Sequence, residues 1–224
     1  MIPPASSGLA YSLPIPGTRL IGRQEEVAAG RSLLLDDAVP LLTLTGPGGV
    51  GKTRLALAIA AEVVLHFADG VVWVDLAPLA DPALVAATVA SALHVIPDPN
   101  HPLPGELVRV LRPRQTLLLL DNCEHLLSAT AELVATLLAA CPALQILATS
   151  RAPIRIRGEQ DLPVDPLPLP PADATSLEVL TQNEAVRLFV ERARSVRPAF
   201  QVEASNVAAV AALCRHLDGL PLAI

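Results

Sequence analysis

Gly46-Pro47-Gly48-Gly49-Val50-Gly51-Lys52-Thr53 fits the pattern G-x-x-x-x-G-K-[ST], and it holds the only lysine of a 224-residue chain. Lysine and arginine together number 16, so the other fifteen are arginine. A chain that fills nearly every cationic position with a planar guanidinium keeps a compact ammonium on a flexible stem at one place. The pattern's glycines let successive backbone N–H groups curl around a phosphate. Lys52 then reaches the β- and γ-phosphates, and the Thr53 hydroxyl ligates Mg²⁺. Such a loop belongs between a strand and a helix. Leu41 to Thr45 reads as a buried strand entering it, and Thr53 to Ala60 as the helix leaving it, its free N–H groups aimed at the anion. A glycine-rich turn that matches by chance is the plain alternative, and the flanks argue against it.

Length and composition limit what surrounds the loop. The chain can hold one α/β domain plus a small addition. Apolar residues make up 52% and aromatics only 2%, so Leu, Val, Ala and Ile must build the core. A net charge of −6 argues against nucleic-acid binding by this segment through bulk electrostatics. Cys123, Cys141 and Cys214 are scattered without metal-ligand spacing and read as reduced thiols of a cytoplasmic protein. The opening Met1–Gly8 lacks a basic stretch followed by an apolar one. No run of about 18 apolar residues is free of charge and proline, so no membrane span is expected. The richness in Ala, Leu, Pro and Arg suggests a bacterial genome of high GC content.

Residues 1–18 carry four prolines and read as an extended lead-in. A helix is expected over 24–35. Short apolar runs at 41–45, 71–76, 116–120 and 144–149 are continuous rather than alternating, as strands covered on both faces should be. Helical patterns at 52–66, 82–94, 106–111 and 124–140 lie between them. Strands alternating with helices imply a parallel, doubly wound sheet. A fifth strand near 161–167 is expected at an edge because of its prolines. Residues 163–175 read as a proline-rich linker. Beyond it, helices over 183–193 and 203–217 form a helical subdomain, 176–224. That subdomain ends on Leu220-Pro221-Leu222-Ala223-Ile224, the start of a helix, and so reads as incomplete. Four residues cannot complete a helix, so this turn is expected to be frayed.

Leu117-Leu118-Leu119-Leu120-Asp121 has the form of a Walker B strand, whose acid stands opposite the Thr53 hydroxyl in the Mg²⁺ shell. An ordinary strand followed by a capping Asp is the alternative. Asn122 follows where many such ATPases carry an acid. An amide can position water but cannot take its proton. Glu124 and His125 are expected to start the next helix and to face away, in capping or solvated roles. Thr149-Ser150-Arg151 ends the next strand, and Arg151 could read a γ-phosphate as a bidentate donor. A solvated basic loop, with Arg155 and Arg157, is the competing account.

Ile21-Gly22-Arg23, the phosphate loop, Leu120-Asp121-Asn122-Cys123-Glu124-His125, Ala148-Thr149-Ser150-Arg151 and Gly219-Leu220-Pro221-Leu222-Ala223 occur in that order. The set resembles the STAND class of signal-transduction ATPases in its NB-ARC-like branch, above all the ATPase domains of bacterial LuxR- and SARP-type regulators. The resemblance spans about 18–224. It implies an α/β fold of the P-loop NTPase (ASCE) type: a three-layer sandwich over 19–162 with a parallel sheet, followed by the small helical part. It implies ATP or ADP as ligand with Mg²⁺ held by Thr53 and Asp121. Ile21 and Arg23 would lie on the adenine side. Gly46, Gly48, Gly49, Val50, Gly51, Lys52, Thr53 and Arg54 would surround the phosphates. Arg151 would be the sensor and Pro221 would pack on the base. Lys52, Asp121, Asn122 and Arg151 would form whatever catalytic set there is, with slow turnover at most. The expected partners are further domains or chains of a regulator, with nucleotide-dependent self-association. A phosphotransferase with an acceptor pocket, or an adaptor without nucleotide, are the alternatives. The first fits the proline-rich linker and the Gly219–Ala223 ending poorly, and the intact Gly51-Lys52-Thr53 opposes the second.

Overall fold

The computed structural model describes residues 13–36, 38–171 and 176–224. Most of the expected lead-in, and residues 172–175 of the expected linker, lie outside the described residues. Five strands form one parallel sheet: β1 (Leu41–Thr45), β2 (Val71–Asp75), β3 (Leu117–Asp121), β4 (Gln145–Ser150) and β5 (Glu159–Pro163), in the order β2-β3-β4-β1-β5. The phosphate-loop strand therefore lies beside β4, and β3 lies one strand further away. β1, β3 and β4 are buried along nearly their whole length, which explains their unbroken apolar runs.

Alternate side chains serve opposite layers. Leu118, Leu120, Ile146 and Ala148 face a core closed by α3 (Val85–Ala92), α4 (Leu103–Leu111) and α5 (Leu127–Ala140). Leu117, Leu119, Leu42, Leu44 and Leu147 face the other core, closed by α1 (Gln24–Leu34) and α2 (Lys52–Val63). Two helical layers around one sheet make the three-layer α/β arrangement of P-loop NTPases. Leu107, Leu111, Leu55 and Ile59 are almost wholly buried, so aliphatic side chains carry both cores.

A helical part follows: α6 (Leu177–Gln182), α7 (Glu184–Val196) and α8 (Val207–His216). Its own small core joins Ala185, Val186, Val210 and Cys214 with Leu167 from the preceding segment. Phe189 and Phe200 stack edge to face, with ring centroids 5.9 Å apart.

Several details differ from expectation. β5 runs over 159–163 rather than 161–167, because its pairing partner β1 sets the register and Thr45 Oγ1 donates to Asp161. α4 starts at Leu103, since Pro104 fits a helix's first turn. α6 was not expected; Ser176 caps it through the Val179 amide. The terminal turn, expected to be frayed, is hydrogen-bonded in place. Ala223 and Ile224 both donate to the Leu220 carbonyl, and Leu222 donates to the phosphate loop.

Candidate functional site

The loop from Gly46 to Gly51 joins β1 to α2 through three left-handed or fully open glycines, at φ 154, 80 and 98 for Gly46, Gly49 and Gly51. At Gly46 a side chain would strike the Val164 carbonyl, so only glycine fits. Lys52 curls back over the loop. Its Nζ donates to the carbonyls of Gly46 (2.8 Å) and Pro47 (3.0 Å). Burial lowers the lysine's pKa; Glu124 and Asp121 oppose that, and Arg151 adds to it. The ammonium thus sits in the loop's mouth among charged groups at and just beyond the ends of β3 and β4.

Thr53 Oγ1 donates to Asp121 Oδ1 at 2.9 Å, and Thr149 Oγ1 donates to the same oxygen at 2.5 Å. Asp121 is a strand residue, not a helix cap. Burial pushes its pKa up, and the two hydroxyl hydrogen bonds work against that. A desolvated carboxylate with a hydroxyl beside it suits a hard cation that prefers oxygen. Among the described residues no group of three or more His, Cys, Asp or Glu could hold a metal. Thr53 and Asp121 are the residues that could hold a Mg²⁺ here. Such an ion would supply charge that screens the phosphates.

Asn122 adopts a left-handed conformation (φ 63), which asparagine tolerates. Its backbone N–H donates to Thr149 Oγ1 at 3.0 Å and its side-chain amide leans on Asp121 Oδ2 at 3.4 Å. The chain then makes one tight 3₁₀ turn over Cys123–His125 before α5 begins at Leu127. That turn corrects one expectation. Glu124 does not face away; its Oε1 meets Arg151 Nε at 3.3 Å, and its charge is felt at Lys52 and Asp121. His125 does leave the site, reaching the Leu79 carbonyl at 2.8 Å. Arg151 is largely exposed and lies beside the loop, about 3.5 Å from where a Cβ on Gly48 would stand.

A cavity of about 660 Å³ opens next to Gly51, a volume in the range of small-molecule sites. Ile21, Arg23, Val50, Arg54 and Pro221 line it, with Leu188 from α7 on the far side. Ile21, Arg23, Arg54 and Pro221 are thus brought together, but two of the arginines are already engaged. Arg23 is buried, and its guanidinium binds Glu26 at 2.8 Å, the Val50 carbonyl at 3.4 Å and the Asp165 carbonyl. Arg54 clasps Thr18 through its hydroxyl and carbonyl. The terminal turn closes the cavity at the loop: Leu222 N–H donates to the Gly49 carbonyl at 3.0 Å. Three elements distant in sequence therefore meet around one glycine-rich loop.

A family model described as an AAA domain matches residues 37–162. The chain is similar to a Mycobacterium tuberculosis protein described as a putative HTH-type transcriptional regulator, 47% identical over 184 residues, which are 82% of this chain and 19% of that protein. A second M. tuberculosis protein is 41% identical over 207 residues, covering 92% of this chain and 49% of its own length. The regulatory protein AfsR of Streptomyces griseus is 32% identical over 189 residues, 81% of this chain and 17% of AfsR. The chain thus spans from about a fifth to about half the length of these relatives. Among solved structures, a STAND protein with a tetratricopeptide repeat sensor from Pyrococcus horikoshii shares the fold. Its TM-score is 0.57 at 15% identity, covering 94% of this chain and 30% of that one. No helix among the described residues is long and apolar enough to cross a membrane.

Proposed function

The chain belongs to the AAA domain family of P-loop ATPases, and from that premise we propose that it is the adenine-nucleotide switch module of a multidomain transcriptional regulator. Residues 19–162 form the nucleotide-binding part, 163–175 the linker and 176–224 the helical part. Gly46, Gly48, Gly49, Gly51 and Lys52 cradle the phosphates, with Thr53 and Asp121 on Mg²⁺ and Arg151 on the γ-phosphate. The base lies in the cavity between Ile21 and Pro221.

One observation carries this reading. The loop's carbonyls are held by Arg23 from the N-terminal segment and by Leu222 from the terminal turn. A nucleotide entering the loop would touch all three elements, so its phosphate count could bias how the helical part sits on the sheet. The free energy of such a switch is the difference between ADP and ATP contacts in the two arrangements.

Turnover serves at most as a slow timer. Asn122 cannot accept a proton, and its amide is committed to Asp121. Phosphate release from ATP should be between about 10⁻⁴ and 10⁻² per second, the range of P-loop switches acting without a partner's added catalytic group. Fluorescent ADP, displaced by unlabelled ADP and ATP but not by GTP, tests the reading. Failure of the chain to bind any adenine nucleotide would refute it.

A further inference from the structure

Glu124 is an acid near the loop that the expected roles leave unused. It sits in the tight turn three residues after Asp121, and its side chain is 20% exposed. Oε1 pairs with Arg151 Nε across 3.3 Å. Oε2 is shielded from solvent and has no hydrogen-bond partner among the described residues. A carboxylate half paired and half unsatisfied is poorly placed as a structural anchor, because the shielded oxygen forfeits its hydration without a replacement. Arg151, by contrast, is 68% exposed and could reach solvent freely. Its guanidinium nonetheless lies against Gly48 at the loop's mouth, held on the side where Glu124 stands. Lys52 experiences both charges, with Glu124 raising and Arg151 lowering its pKa, so the pair lies within electrostatic reach of the ammonium.

A terminal phosphate bound by Lys52 and Arg151 would therefore meet a carboxylate already on that guanidinium. Carboxylate and phosphate compete for the same fork of donors. We propose that Glu124 is an internal stand-in for the γ-phosphate, pairing Arg151 when the third phosphate is absent, so that ATP must displace it and the pair sets the preference between ADP and ATP. The inference rests on the nucleotide-binding reading above. ADP ends before the contested position and would leave the pair intact. ATP would bind with its gain from Arg151 reduced by the cost of breaking the pair and of placing phosphate beside a carboxylate.

The test is calorimetric titration of the full chain with Mg-ADP and with the β,γ-imido analogue of Mg-ATP, which is not hydrolysed. Glu124→Gln keeps size and removes charge at a partly exposed position, so folding should be retained. The variant should bind the ATP analogue about tenfold more tightly and ADP within about twofold of the unmodified chain. Arg151→Ala should weaken the ATP analogue alone. Adding Glu124→Gln to Arg151→Ala should bring back little of the gain, because the competition needs the guanidinium. An equal gain with and without Arg151 would reduce Glu124 to general repulsion and overturn the proposal, as would equal shifts for ADP and the ATP analogue or no shift at all. Absence of binding by the unmodified chain would instead overturn the nucleotide reading itself, and this inference with it.

Discussion

The Thr53 hydroxyl donates to Asp121 Oδ1 at 2.9 Å, joining the first turn of the helix that leaves the loop to the last residue of a strand two places away in the sheet. Asp121 is buried, and burial raises its pKa above the ordinary aspartate value of 3.8. Its ionised form therefore costs stability in the protein without ligand. That cost is absent below about pH 3.8, where the carboxyl is protonated folded or unfolded, and grows as pH rises through the raised folded value. Asp121→Asn keeps an acceptor for Thr53 and Thr149 but removes the charge. At neutral pH the variant should melt higher by about 2–4 °C, the equivalent of about 1 kcal/mol. The advantage should shrink in acid. Mg²⁺ should no longer strengthen ATP binding. Melting curves with and without Mg-ATP check both halves, and a lower melting temperature at neutral pH would contradict the account.

Gly49 and Leu222 are coupled in two ways. The Leu222 amide donates to the Gly49 carbonyl, and a side chain on Gly49 would come 2.9 Å from Leu222 Cβ at a φ of 80. Gly49→Ala should therefore strain the loop and push the terminal turn away. Hydrogen exchange at the Leu222 amide should accelerate at least tenfold while that of β1 changes little. Unaltered exchange at Leu222 would show that the turn does not rest on the loop.

Arg23 tests whether a predicted ligand contact is foremost a structural clamp. Its guanidinium is buried and pairs with the Val50 and Asp165 carbonyls and with Glu26. Arg23→Ala should cost about 2–3 kcal/mol by leaving buried acceptors unpaired. The melting temperature without nucleotide should fall by about 5–10 °C. Arg23→Lys should recover only part, since one ammonium lacks the guanidinium's second nitrogen and cannot hold Glu26 together with the Val50 and Asp165 carbonyls. A melting temperature that falls only in the presence of nucleotide would return Arg23 to the adenine side.

The three cysteines lie buried, and burial raises the pKa of each thiol. None should react with iodoacetamide at pH 7.5 while the chain is folded, and all three should react in denaturant. Rapid native labelling of Cys123 would mean that the turn carrying Glu124 opens readily.

What was legible in the sequence follows from how local each signal is. The strands at 41–45 and 116–120 are unbroken apolar runs, and a double-faced sheet needs such runs whatever surrounds them. β5 carries Glu159, Gln160 and Asp161 and has no such run; only its pairing with β1 makes it a strand. α6 is six residues long and buries one side chain, Leu180, too little for a periodic pattern. Glu124 was misplaced because helix reading assumes helical backbone from Glu124 onward. The left-handed turn at Asn122 redirects the chain and brings the carboxylate over the loop. An asparagine directly after a buried strand was the available signal, since asparagine enters that conformation more readily than other residues. The engagement of Arg23 by the carbonyls of Val50 and Asp165 depends on contacts 27 and 142 residues away, which no local pattern carries.

The central claim is that adenine nucleotide binds where Lys52 lies, and the one lysine makes the measurement unambiguous. Calorimetric titration of the unmodified chain and of Lys52→Ala with Mg-ADP and Mg-ATP compares a phosphate cradle with and without its ammonium. Loss of a charge-assisted contact of about 2–3 kcal/mol should weaken both nucleotides about tenfold to a hundredfold. Equal affinities in the two proteins would place the nucleotide elsewhere and contradict the account.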